Sequence, residues 1–232
     1  MLFLCVSTAC GTTAPTVPAQ GPQEIRIAVA EGGSSSPDVG FAEVWRSFAY
    51  EGLTNRGNDG RPQPRLAKAW TVSPDGLRWT VNRRSDVWWH DGHKFDAASA
   101  AEALEAVVRS RQRSALFPGL RDITTVHADG SDTITVSVSQ PSAFLIDDLD
   151  IRLQRQNSGA DPVGTGPYAP VLMAPAEVRM RAHPRYHEGV PEIGTLVLTA
   201  HPTVRQAWAG LLRGEVDALW NVSSDAADFL ND

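Results

Sequence analysis

The sequence is short of cysteine, of positive charge and of long apolar runs, and each shortage removes a class of protein. Both of its cysteines, Cys5 and Cys10, fall at the very start of the chain, so the body can hold neither an internal disulfide nor a cysteine-ligated metal. A net charge of −6 argues against nucleic-acid binding, which needs a basic stripe to displace phosphate counterions. No stretch approaches the roughly 20 apolar residues of a membrane-spanning helix, and no internal repeat is visible. Signatures of chemistry are missing too. HExxH and EF-hand patterns do not occur. His90-Asp91-Gly92-His93 puts two histidines near a carboxylate but lacks the further ligands a metal site needs, and His127, His183, His187 and His201 are scattered. Gly164-Thr165-Gly166 lacks the third glycine of a dinucleotide loop, and Pro167 blocks the helix start that would receive a pyrophosphate. Ser34 to Ser36 has no G-x-S-x-G context and no paired histidine. The expectation is no cofactor, no metal and no enzyme, since no nucleophile–base pair emerges.

What is present suits a folded α/β body. The 232 residues are 42% hydrophobic and include seven tryptophans, enough for a sizeable core. Ile25 to Val29 alternates as a strand and leads into the polar loop Glu31 to Pro37. Phe41, Val44, Trp45 and Phe48 recur at helical spacing and form one apolar face. Ser73-Pro74-Asp75-Gly76 is a turn between strands over 69–72 and 77–81, with Leu77, Trp79 and Val81 predicted inward. Val87 to Trp89 is a short strand. Asp96 is placed to cap a helix running to Arg109. A second hairpin turns at Asp129 to Asp132, with Ile134, Val136 and Val138 inward. Val178, Met180 and Ala182 alternate, Leu196 to Leu198 is a strand, and a helix over 202–213 ends at Gly214. Val204, Ala207, Trp208, Leu211 and Leu212 share one side of that helix. A strand over 216–220 follows, and another helix begins at Ser224. In Val163-Gly164-Thr165-Gly166-Pro167-Tyr168 the glycines supply dihedrals that other residues disfavour, and Pro167 keeps the chain extended.

The opening Met1 to Gly11 is apolar, then small, then Cys. It resembles the tail of a bacterial lipoprotein signal peptide, although no Lys or Arg precedes the apolar run and Ser7 stands where Leu is commoner. The resemblance implies a signal remnant over 1–10 with Cys10 as the lipidated residue. Residues 11–24 are Thr-, Pro- and Ala-rich and form a linker.

Several segments then fall in order. Tyr50-Glu51-Gly52-Leu53 precedes Pro64 to Trp70 and Ser73 to Leu77. Val87-Trp88-Trp89-His90-Asp91-Gly92 and Phe95-Asp96-Ala97 come next. Val163 to Tyr168, His183-Pro184-Arg185-Tyr186 and Leu211 to Asp217 complete the set. Together they resemble the family 5 extracellular solute-binding proteins, the receptors of ABC importers for peptides, nickel and similar solutes. His183 and His187 depart from the family pattern, at positions expected on the surface. The resemblance implies a mixed α/β fold, a periplasmic-binding-protein-like type II lobe whose mixed sheet carries flanking helices and β-hairpins. Family members are usually much longer. The implied organisation is a first lobe over 25–222, and the start of a crossover to a missing second lobe over 223–232.

Receptors of this kind trap ligand between two lobes that close about a hinge. By that resemblance, the loop after the first strand and the end of the crossover strand face the ligand. The residues so placed are Glu31, Gly33, Ser34, Ser35, Ser36, Trp220, Asn221 and Val222. Glu31 suits an ammonium, Trp220 a flat apolar or cation–π wall, and Asn221 paired donors and acceptors. The implied partners are a peptide or other small solute, ABC permease subunits, and a membrane reached through the anchor at Cys10. The implied protein is an extracytoplasmic monomer with no nucleic-acid partner. The alternative is a truncated, ligand-incompetent lobe, or a short lipoprotein that contacts another protein. A lone lobe should bind peptide weakly and leave sheet edges exposed.

Overall fold

The computed structural model describes residues 23–30, 40–110, 117–159 and 162–220. The predicted loop over 31–37, the helix from Ser224, Asn221, Val222 and Cys10 lie outside them.

Two sheets with separate cores make up the described chain. The first holds β1 (Gln23–Ala30), β8 (Tyr168–Ala174), β9 (Glu177–Ala182), β10 (Ile193–His201) and β11 (Ala218–Trp220), in the order β11-β1-β10-β9-β8. β1 runs parallel to both β10 and β11, whereas β9 is antiparallel to β10 and β8. Period-two alternation divides β1 between the two faces. Ile27 and Val29 join Phe41, Val44 and Trp45 of α1 (Phe41–Ala49), together with Met180 and Leu198. Ala28 and Ala30 face the other way, onto Ala207 of a helix over Val204–Leu212, where small side chains allow close approach. β10 is longer than the predicted Leu196 to Leu198 because it is flanked on both sides, by β1 and β9.

The second sheet, β4-β5-β7-β6, is entirely antiparallel. It comprises β4 (Ala67–Val72), β5 (Arg78–Arg83), β6 (Ile123–Asp129) and β7 (Thr133–Val138), with α2 (Ala97–Arg109) packed upon it. A small ribbon, β2 (Thr54–Arg56) with β3 (Pro62–Pro64), precedes it, and a short α3 (Leu145–Asp148) follows. The last helix, Val204–Leu212, is therefore α4. Asp96 caps α2 as expected: its carboxylate accepts the Ser99 N–H at 2.8 Å, and Ser99 answers the Asp96 N–H. Such caps contribute about 1 kcal/mol.

Four local expectations change. Leu77 is exposed at the tip of its hairpin, and the inward row of β5 is instead Trp79, Val81 and Arg83. Arg83 tolerates burial because its guanidinium donates to the Ser131 and Arg84 carbonyls and to Asp132. Val87 to Trp89 forms one isolated bridge, Trp88 with Lys94, rather than a strand. Leu212 is exposed, because α4 turns only Ala207 and Gly210 fully onto the sheet. His183 and His187 are buried rather than on the surface, because the Trp88 carbonyl receives His183 and the Glu51 carboxylate receives His187.

Among the described residues, β8 pairs only with β9 and β11 only with β1, so both ends of the first sheet are open. Val171, Leu172 and Met173 on β8 are each about half exposed.

Candidate functional site

The two parallel strands β1 and β11 end side by side, with Val29 opposite Trp220. Carboxyl ends of neighbouring parallel strands are where open α/β sheets receive ligands. Register sets the direction of Trp220: Ala218 and Trp220 match Ile27 and Val29, on the face covered by α1. The Trp220 ring meets Phe48 edge-on, with centroids 5.6 Å apart, and Phe48 meets Tyr168 in the same manner at 6.1 Å. Trp220 remains 41% exposed, so it forms the outer leaf of a three-ring wall. Glu31 and Asn221 follow directly in sequence from Ala30 and Trp220. The structure thus brings together the stems of both predicted ligand loops, while Glu31, Gly33, Ser34, Ser35, Ser36, Asn221 and Val222 lie outside the described residues.

A second constellation was not anticipated. The chain leaves the first sheet at Tyr50 to Leu53 and returns at Val163 to Tyr168, and these two crossings lie against each other. Gly166 N–H donates to the Ala49 carbonyl at 3.0 Å. A Cβ on Gly164 would stand 2.0 Å from the Ala49 oxygen, and one on Gly166 2.4 Å from the Phe48 oxygen. Neither glycine adopts a positive φ. Their role is close approach to the end of α1, which corrects the expectation that they supply unusual dihedrals.

His90 clamps the returning crossing from its other side. Its Nδ1 accepts the Gly164 N–H at 3.2 Å, so Nε2 carries the proton and donates to the Gly166 carbonyl at 2.9 Å. Burial lowers the His90 pKa to about 4, against the opposing effect of the Gly166 carbonyl, and nearby His183 lowers it further. The ring is therefore neutral at pH 7. His183 packs edge-on against it at 5.1 Å and bonds the Trp88 carbonyl.

Glu51 lies at the centre and is 6% exposed. Its Oε1 accepts from Arg65 Nε at 2.7 Å and from the Tyr186 hydroxyl at 3.0 Å, and its Oε2 accepts from Thr165 at 2.9 Å. His187 donates from Nε2, 3.2 Å from each oxygen. Burial pushes the Glu51 carboxyl up, but His187, Arg65 and Thr165 together outweigh it and hold the group below its usual range. The sequence signal was present in two halves, an acid within Tyr50-Glu51-Gly52-Leu53 and a hydroxyl between two glycines. Only the fold joins them.

The family model for bacterial extracellular solute-binding proteins, family 5 Middle, matches residues 61–232. The chain belongs to this family. The nickel-binding periplasmic protein of Escherichia coli (strain K12) is 32% identical over 146 residues, which are 57% of this chain and 27% of the relative. The glutathione-binding protein GsiB of Salmonella paratyphi A is 30% identical over 136 residues, covering 54% of this chain and 26% of that protein. Among solved structures, NikZ from Campylobacter jejuni in complex with Ni(L-His) superposes with a TM-score of 0.77 at 25% identity, over 92% of this chain and 46% of that one. The expected family and mixed α/β fold are borne out. These family 5 relatives are solute-binding proteins rather than enzymes, and family members act outside the cytoplasm. The chain spans about a quarter of the length of these curated relatives and under half of NikZ. No helix among the described residues is long and apolar enough to cross a membrane.

Proposed function

We propose that this chain is the ligand-facing first lobe of a solute receptor for an ABC importer, tethered to the membrane by a lipid on Cys10. It carries a peptide or similar small solute to permease subunits and breaks no bond. The single observation that supports this most strongly is the half-exposed Trp220, held by Phe48 at the shared carboxyl end of β1 and β11. An indole so placed offers a flat apolar wall and a cation–π face, and Glu31 and Asn221 would complete the contact from the adjoining loops.

A lobe that supplies one wall leaves the other side of its ligand in water, which limits affinity. Titration of the full chain with glutathione, a mixed peptide pool and nickel–histidine, followed by NMR, is expected to shift the Trp220 indole N–H with a Kd of about 1 mM or weaker. Trp220→Ala should abolish the remaining shifts near Phe48. Micromolar affinity would overturn the one-lobe reading, and shifts confined to residues remote from Trp220 would overturn the site. A complete lack of shifts would favour the second reading, a ligand-incompetent lobe. The anchor has its own test. Cells expressing the chain should incorporate labelled palmitate into it, and Cys10→Ser should remove the label; equal labelling of both would exclude Cys10.

A further inference from the structure

The apolar core does not run through the molecule. One cluster includes Leu53 and Val163, and another includes Tyr50 and Tyr168. Glu51, Gly52 and Gly164 to Pro167, the residues at the crossings between them, belong to neither. What closes this gap is polar. Leu153 N–H donates to the Glu51 carbonyl at 2.9 Å, Gly166 to Ala49 at 3.0 Å, and His183 to Pro167 at 2.8 Å. Glu51 gathers donors from both sides: Arg65 leads into the four-stranded sheet, Thr165 sits on the returning crossing, and Tyr186 and His187 link β9 to β10. Arg65 is held a second time, by Glu188 at 2.8 Å, and its Nη2 donates to the Tyr186 hydroxyl at 2.5 Å.

From this geometry we infer that Glu51 is the latch of a joint between two separately cooperative bodies. Water can replace hydrogen bonds at a polar seam, whereas it cannot replace buried apolar contacts. The seam therefore opens at lower free energy than either core. One carboxylate with four donors from three chain segments keeps it shut. Glu51 is a positioning residue here: it fixes the angle at which the first sheet, with Trp220 at its edge, meets the second. The inference stands whether or not Trp220 binds ligand.

Native-state hydrogen exchange on the full chain separates a latch from a residue that merely adds stability. Glu51→Gln keeps the shape and removes the charge. The amides of Leu153, Gly166 and His183 are expected to exchange about tenfold faster or more, while those of Val136 and Leu198, inside the two sheets, stay within about twofold. A uniform acceleration at all five amides would overturn the inference, as would unchanged exchange at Gly166. Should Glu51→Gln fail to fold, Tyr186→Phe, which removes one hydroxyl from the cluster, should give the same pattern at smaller amplitude. A uniform or absent change in that variant is equally decisive against the latch.

Discussion

Gly164→Ala is expected to cost on the order of 4 kcal/mol, a large share of the roughly 5–15 kcal/mol that holds an ordinary domain folded. The added methyl would sit 2.0 Å from the Ala49 oxygen and 2.5 Å from the Tyr50 ring. The first of these is backbone at the end of a packed helix and cannot swing aside, so the crossing itself must move. That movement breaks the bonds from Gly164 and Gly166 to His90 and the bond from Gly166 to Ala49. Gly130→Ala is the control. It lies at φ 69 with nothing within 4 Å of the added atom, so only left-handed backbone strain applies, about 1–2 kcal/mol. Urea unfolding midpoints measure both. Equal losses in the two variants would show that conformational freedom, and not close approach, is what position 164 requires.

Acid should unlock the same region. His90 has a pKa of about 4 in the folded protein against 6.5 in the unfolded chain, so on acidification the unfolded state takes up its proton first. The stabilisation is fully present above pH 6.5 and is lost as pH falls through the folded value. The difference corresponds to about 3 kcal/mol. His183, its pKa lowered mainly by burial, contributes in the same direction. Glu51 differs in its range, because its carboxyl is held below the ordinary range of a glutamate and its contribution disappears only in stronger acid. Stability from urea unfolding should therefore be flat above pH 6.5 and decline steadily towards pH 4. His90→Gln can accept the Gly164 N–H and donate to Gly166 without titrating, so its decline over that window should be shallower. A wild-type stability equal at pH 7 and pH 5, or an unaltered slope in His90→Gln, would refute the role given to the ring.

Much of the fold was legible because its signals are local. The alternation of Ile25 to Val29, the helical stripe from Phe41 and the turn residues Asp75-Gly76 each depend on neighbours within a few positions. The capping of α2 by Asp96 is equally local. The joint was not legible, since its logic is long-range. His187 lies 136 positions from the carboxylate that buries it, and on its own a histidine after a tyrosine in a loop suggests exposure. Gly164 and Gly166 were recognisable as constrained, but the constraint is the carbonyl row at the end of α1. Arg83 continued the inward row of β5 only because the Ser131 and Arg84 carbonyls were there to receive it. Of the proposed ligand contacts, Trp220 can be placed: its register against Val29 directs it, and Phe48 backs it.

The two crossings have a consequence for how the chain is assembled. Everything from Glu51 to Thr165 is an excursion whose departure and return are pinned together by the bond between Ala49 and Gly166. The five-stranded sheet therefore registers that excursion as one closed loop, held at its doorway by Arg65 and His90 from within. Closure entropy grows only logarithmically, about 0.6 kcal/mol per doubling of length. Insertions and deletions within the four-stranded guest thus burden its host little, provided the two threads at the doorway keep their small residues.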